Sequence, residues 1–319
     1  MASSSDTNYN QLLPGFELPS ENVIYALKDK LRKFVDASIA GKRRIALVTS
    51  GGTTVPIEKN TVRFLDNFSS GSRGAASTEY FLKNGYAVIF LNRTRSIQPF
   101  ERHFCEKPIL DQLNVIKDNK KGDVMCFDTA KSPNLLESFA CYKKYYANQC
   151  LLRIQFITLA EYLTYLWIAC EMIRPLGNRA LVYLAAAVAD FYIPAEQMEE
   201  HKISLSEGKL CLTFDCVPKM LGKLKSEVVP QAYFITFKLE TDDNLVIEKA
   251  EKALKKYQHE LVVGNLLKER KRKVVLVRQA LTPAQTVISL NDEQASQGIE
   301  IEKMIVEQIC IFHNQFIDA

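Results

Sequence analysis

Between Thr49 and Gly74 the chain gathers glycines, hydroxyls, arginines and an amide. The stretch Thr49-Ser50-Gly51-Gly52-Thr53-Thr54 is followed by Arg63-Phe64-Leu65-Asp66-Asn67-Phe68-Ser69-Ser70-Gly71-Ser72-Arg73-Gly74. Glycine lets a backbone approach a phosphate closely, and free N–H groups at a helix N-terminus, helped by the helix dipole, bind anions. The second stretch opens onto Ala75–Leu82, which reads as a helix, so the chemistry on offer is the holding of a phosphate-bearing ligand. Neither G-x-G-x-x-G nor G-x-x-x-x-G-K-[ST] occurs there. On composition alone, a pair of tight turns fits these loops equally well.

Other residues could carry part of such chemistry. The Asn67 amide can donate to an acyl or phosphoryl oxygen without adding charge, or it can simply form a turn. Arg63 and Arg73 bracket the loop, and a guanidinium holds phosphate or carboxylate bidentately unless it is only solvated. Asp190 follows the apolar run Leu181-Val182-Tyr183-Leu184 and Ala185-Ala186-Ala187, where a strand end presents polar groups to ligands; a turn cap is the alternative. Lys202 and Lys238 stand beside apolar residues and could neutralise a polyphosphate, and Asn265 follows Leu261-Val262-Val263-Gly264 at another strand end. The basic run Lys268–Lys273 reads mainly as a solvated loop. Four histidines, His103, His201, His259 and His313, form no metal-ligand spacing and no Ser-His-Asp constellation.

The elements that must position these residues follow from periodicity. Ile45–Val48, Tyr86–Leu91, Leu151–Ile157, Leu181–Leu184, Leu210–Phe214, Tyr233–Phe237, Leu261–Val263 and Val274–Val277 read as strands. Helices are expected at Glu21–Ile39, Leu159–Ile173, Asp243–Tyr257 and Glu300–Phe316. Alternating strands and helices predict an α/β fold with a doubly wound, mostly parallel, Rossmann-like sheet and ligand loops at the strands' carboxyl ends. Residues 1–40 are expected to form an arm and a helix, and 41–319 a single nucleotide-binding domain. Arg93–Pro133 is read as irregular, with a polar turn at Lys117–Gly122, and 93–150 as a protruding flap or dimerisation insertion.

With 41 basic and 37 acidic residues the net charge is +4, a balance that argues against a continuous nucleic-acid-binding face. The eight cysteines form no C-x-x-C pair and read as reduced thiols. Met1–Asp6 lacks the basic and apolar start of a signal peptide, so a cytoplasmic location is expected. The apolar stretch Phe156–Ile173 contains Glu161 and Glu171 and reads as a buried helix rather than a membrane span. A nicotinamide-dependent oxidoreductase is disfavoured by the missing glycine fingerprint, and a nucleotide- or RNA-binding module using Lys268–Lys273 is the non-enzymatic alternative.

Taken in order, Val48–Thr53, Arg63–Gly74, Tyr183–Tyr192, His201–Ile203, Phe237–Thr241 and Tyr257–Asn265 resemble the eukaryotic phosphopantothenoylcysteine synthetases, the ligases of coenzyme A synthesis. The resemblance spans roughly Ile45 to Ile317. It implies that the carboxylate of 4'-phosphopantothenate attacks the α-phosphate of a nucleoside triphosphate, ATP or CTP, with Mg2+, and that the amine of L-cysteine then displaces the nucleotide. It assigns Asn67 to the acyl-nucleotidylate, Arg63 to its support and Lys202 to the vicinity of the triphosphate. Gly51, Ser69, Gly71, Gly74, Phe237, Lys238 and Asn265 fall on the nucleotide side. Ala186, Ala187 and Asp190 match the phosphopantothenate segment, which in the family is contributed across a homodimer interface. The resemblance implies no protein metal ligand, and small-molecule substrates rather than nucleic acid or membrane. With about 40 residues before the first strand, no fused decarboxylase is expected.

Overall fold

A computed structural model describes residues 8–105, 107–117, 122–129, 134–204, 208–279 and 284–319, with the side chains of 243 and 244 outside the description. Much of the expected turn at Lys117–Gly122 also lies outside the described residues. The chain opens with the short helix α1 (Tyr9–Leu12) and the long α2 (Glu21–Ala40), followed by strand β1 (Ile45–Ser50). A small antiparallel hairpin, β2 (Thr54–Pro56) and β3 (Phe64–Asp66), precedes α3 (Ser72–Lys83) and β4 (Ala87–Arg93). The connection to β7 (Leu151–Phe156) holds a second hairpin, β5 (Leu113–Ile116) and β6 (Val124–Phe127), and helix α4 (Asn134–Ala147). Then come α5 (Leu159–Ile173), β8 (Ala180–Leu184), β9 (Phe191–Tyr192), β10 (Asp215–Cys216) and α6 (Met220–Lys223). The remainder is β11 (Tyr233–Glu240), α7 (Asp243–Tyr257), β12 (Leu261–Leu266), β13 (Lys273–Arg278), β14 (Gln285–Ser289), α8 (Asp292–Ser296) and α9 (Ile301–Asp318).

One eight-stranded sheet, ordered β14-β13-β12-β11-β8-β1-β4-β7, carries the fold. It is parallel from β7 to β12, with β13 and β14 added antiparallel at one edge. All six residues of β1 are buried because helices cover both faces. Ile45 and Leu47 point into a core shared with α2 and α5, whereas Ala46 and Val48 point into one shared with α3 and α9. Both capping groups of α5 are present: Glu161 N donates to Thr158 Oγ1, and Thr158 N donates to the Glu161 carboxylate. Its interior is almost wholly buried, which accounts for its lack of a polar face. Among the described residues, no helix is long and apolar enough to cross a membrane.

From β1 the chain winds outward through β4 to β7, then returns to β8 on the other side of β1. That reversal opens a crevice at the carboxyl ends of β1 and β8, the place where open α/β sheets receive ligands.

Three expectations need correction. Leu210–Phe214 forms no strand; among the described residues the only pairing nearby is the two-residue β10 with β9, and Leu210 and Cys211 are exposed. Its alternating residues have strand propensity, but propensity alone supplies no pairing partner, and the segment joins no strand of the main sheet. The region 93–133, read as irregular, contains the β5–β6 hairpin, and the helix α4 beyond it had not been anticipated. The edge strand β14 also lacked a sequence signal, since only Ile288 of Gln285–Ser289 is buried.

Candidate active site at the carboxyl ends of the strands

The loops after β1 and β8 are laced together across the crevice. Ala187 N donates to Gly51 O at 2.8 Å, and Thr53 N donates to Ala187 O at 3.0 Å. Side chains complete the lacing: Ala186 N donates to Thr49 Oγ1 at 3.1 Å and Ala189 N to Thr53 Oγ1 at 3.0 Å. Thus the alanines singled out in sequence hold their loop by backbone contacts to the first glycine loop.

The β2–β3 hairpin carries Asn67 back onto that loop. Asn67 N donates to Thr53 O at 3.1 Å, and a Cβ on Gly52 would lie 1.7 Å from Asn67 O. Only glycine permits this approach. The Asn67 side chain is half-buried and its amide has no hydrogen-bond partner among the described residues.

Arg63 is held firmly. Its Nε donates to Glu58 Oε1 at 2.9 Å, its backbone N to Glu58 Oε2 at 3.1 Å, and its terminal nitrogen to Ile203 O at 2.7 Å. Glu58 is fully buried. Burial opposes its ionisation, but hydrogen bonds from Arg63 and from the Ile203 backbone, with the guanidinium charge, outweigh that and hold the carboxyl below its ordinary range. Lys202, beside Ile203, is exposed and has no ion pair among the described residues.

The first turn of α3 lies against the end of β1. Gly71 caps it in the left-handed region at φ 82°, and Ser50 Oγ donates to Gly71 O at 2.9 Å. A Cβ on Gly74 would fall 2.5 Å from Ser50 Cβ, and Cβ atoms on Gly51 and Gly71 would both crowd Ser96. Ser69 is half-buried just before this cap. Asp66 pairs with Arg93 at the end of β4. Further along the rim, the Arg73 guanidinium lies 5.9 Å over the Phe237 ring and reaches Glu302 at 3.2 Å. Phe237 in turn packs edge-on against Tyr183.

Two amide oxygens on this rim are buried without partners: Oδ1 of Asn265 on β12 and Oδ1 of Asn92 on β4. Buried acceptors are ordinarily satisfied by protein or by ordered water, so each is free to take a donor from water or from a ligand. A cavity of about 250 Å³ lies beside the paired ends of β8 and β11; it is lined by Ala186, Asp190, Lys219, Phe237 and Lys238 among others. Asp190 is exposed and lies 3.5 Å from Lys219 Nζ.

The structure therefore brings Gly51, Gly71, Gly74, Asn67, Ala186 and Ala187 into one contiguous set of loops. Phe237, Lys238 and Asp190 share the adjoining cavity, while Arg63 and Lys202 meet on the hairpin side through Ile203. Sequence reasoning missed Glu58, Ser50, Asn92, Ser96 and Lys219. Only Ser50, next to Gly51, carried a local signal; the others acquire meaning through side-chain contacts, some of them local such as Glu58 with Arg63, that their residue types do not announce.

This is the rim of a doubly wound α/β sheet at its topological switch point. Residues 168–309 match the family model for the DNA/pantothenate metabolism flavoprotein C-terminal domain. The chain is 41% identical over 306 residues to phosphopantothenate–cysteine ligase of Homo sapiens, covering 95% of this chain and 97% of that one. The Mus musculus ligase is 43% identical over 279 residues, or 86% and 88% of the two chains. A solved structure of a Cab2 mutant in complex with phosphopantothenate-cysteine superposes with a TM-score of 0.84 at 36% identity, covering 94% of this chain and 96% of that one. The chain belongs to the phosphopantothenate–cysteine ligase family.

Proposed function

We propose that the chain joins 4'-phosphopantothenate to L-cysteine through an acyl-nucleotidylate, forming 4'-phospho-N-pantothenoylcysteine in coenzyme A biosynthesis. The reading rests on family membership and, in the structure, on one observation. The Asn67 amide has no partner of its own and stands where the loop after β1 meets the segment leading into α3.

A carboxylate is a poor acylating agent, so it must first be activated. Its oxygen attacks the α-phosphate and pyrophosphate leaves; the cysteine amine then attacks the acyl carbon, and the nucleotide departs with one former carboxylate oxygen. The Asn67 N–H donates to the mixed anhydride as charge develops on it, a neutral donor that costs no reorganisation when already aimed. Arg63 supports the same intermediate, and Lys202 faces the triphosphate. Gly51, Ser69, Gly71 and Gly74 admit the nucleotide's phosphates to the free N–H groups of α3. Phe237 and Lys238 flank the nucleotide, and the Asn265 acceptor takes a donor from it. Ala186, Ala187 and Asp190 take the pantothenate portion.

Among the described residues, no group of three or more His, Cys, Asp or Glu side chains could hold a metal ion. Mg2+ would accompany the nucleotide's phosphates, where it would supply charge neutralisation for pyrophosphate departure. Val62, Phe64, Leu65 and Phe68 are exposed on and beside the β2–β3 hairpin, with Phe68 at 95%. An apolar cluster of this kind supports a homodimer with this face covered. The unpaired state of all eight cysteines accords with a cytoplasmic enzyme.

The test is to incubate the purified protein with 4'-phosphopantothenate, L-cysteine, Mg2+ and either ATP or CTP, and to weigh the product. The cysteine adduct is expected, with the better nucleotide identified by rate. A folded protein that yields no adduct with either nucleotide would refute the reading.

A further inference from the structure

We infer that Glu58 is a positioning residue for this reaction, acting through Arg63 to fix the hairpin side of the site. The inference rests on the ligase reading above. A carboxylate with no solvent exposure is costly unless paired and hydrogen-bonded, and both Glu58 oxygens are bonded by Arg63, its side chain on Oε1 and its backbone on Oε2, with the Ile203 backbone adding a further hydrogen bond. That leaves the guanidinium one fixed orientation.

The same short loop is stitched to the segment preceding Lys202. Lys59 N donates to Glu199 O at 3.0 Å, Asn60 N to Glu200 O at 3.1 Å, and Arg63 to Ile203 O. Arg63 and Lys202 thus sit on two strips of chain that Glu58 locks together from beneath. From Arg63, β3 runs directly to Asn67. A single buried charge therefore sets the placement of both cationic residues relative to the amide. A purely structural carboxylate could be satisfied anywhere in the core; this one is committed to a residue on the rim.

The test is a double-mutant cycle on the whole enzyme, read as kcat and KM for 4'-phosphopantothenate. Glu58→Gln keeps the shape but turns an amide toward the Arg63 donors. It is expected to lower kcat/KM by about tenfold or more, since small displacements of positioning groups carry costs of that order. Glu58→Asp keeps the charge and falls between; it also serves if Glu58→Gln does not fold. In an Arg63→Ala background, Glu58→Gln is expected to have no further effect on kcat/KM. An equal loss in both backgrounds would show a merely structural role and overturn the inference. So would a folded Glu58→Gln enzyme with unchanged kinetics, or an Arg63→Ala enzyme indistinguishable from wild type. Failure of the wild type to form adduct defeats the ligase reading itself, and the inference falls with it; adduct formation with unaltered variants defeats the inference alone.

Discussion

Two sets of polar groups, one packed behind α3 and one spread along the rim of the crevice, differ in whether the chain completes them. Behind the helix, Glu79 accepts from Phe100 N, Arg102 and His103, while Arg102 also grips both oxygens of Glu300, which takes the Tyr80 hydroxyl as well. Burial raises the Glu79 pKa, but these hydrogen bonds and the Arg102 charge prevail and hold it down to about 2. At the front, Asn67 and Lys202 have no partners among the described residues, and Asn92 and Asn265 bury acceptors with nothing to accept. A network that closes on itself stabilises the fold; one left open in a dense protein points to a ligand as the missing member.

Breaking the closed network should give the largest effect, and on stability alone. Arg102→Ala removes the guanidinium from Glu79 and Glu300, leaving Glu79 to Phe100 N and His103 and Glu300 to the Tyr80 hydroxyl, and is expected to cost about 3–5 kcal/mol, the range for removing one partner of a buried ion pair. Urea unfolding measures this, and turnover per folded molecule should stay near wild type. Asn67→Ala should do the reverse. Turnover falls by roughly 10²–10³, the cost of losing one preorganised donor to a developing charge, while the urea midpoint hardly moves because no core cavity opens. If either variant moved both quantities together, the division between the two regions would fail.

The histidines sharpen the same division. Burial, followed by the charges of Lys225 and Lys238, pushes His259 down to about 4; burial likewise brings His313 to about 4 despite its bond to Asn178 O. Both remain neutral in the fold, whereas in the unfolded chain they protonate below their ordinary value of 6.5. Stability is thus fully present above pH 6.5 and declines toward pH 4, each histidine adding a slope of about 1.4 kcal/mol per pH unit. Comparing urea midpoints at pH 7 and pH 5 should show the decline, and His259→Gln should remove one histidine's share. The smallest effect is expected from Asp190→Ala, whose exposed carboxylate should matter mainly to substrate affinity. A rise of roughly tenfold in KM for 4'-phosphopantothenate, or about 1.4 kcal/mol, is predicted, with kcat little changed.

Much of this architecture was legible because its signals are local. Leu159–Ile173 and Asp243–Tyr257 have the expected helix limits, and the buried runs at Ile45 and Leu181 became central parallel strands. The glycine loops announced themselves by composition. What could not be read depends on pairing across distance. Leu210–Phe214 had strand propensity but pairs with no strand of the main sheet, and the order of β8 beside β1 is set by the return of the chain through α5. Glu58 looked like any charge in Glu58-Lys59-Asn60 until the hairpin folded it beneath Arg63. Asn92 was legible only as the start of the formal glycosylation sequon Asn92-Arg93-Thr94 and gave no binding signal, since an orphaned acceptor is a property of its surroundings.

The account turns on an acyl-nucleotidylate formed at the open rim, and isotope transfer tests that most directly. The wild-type enzyme is supplied with 4'-phosphopantothenate carrying oxygen-18 in its carboxylate, together with L-cysteine, Mg2+ and the better nucleotide. One labelled oxygen is predicted to leave on the nucleoside monophosphate, with unlabelled pyrophosphate released. Label recovered in orthophosphate beside a nucleoside diphosphate would mean activation as an acyl phosphate and would contradict the account.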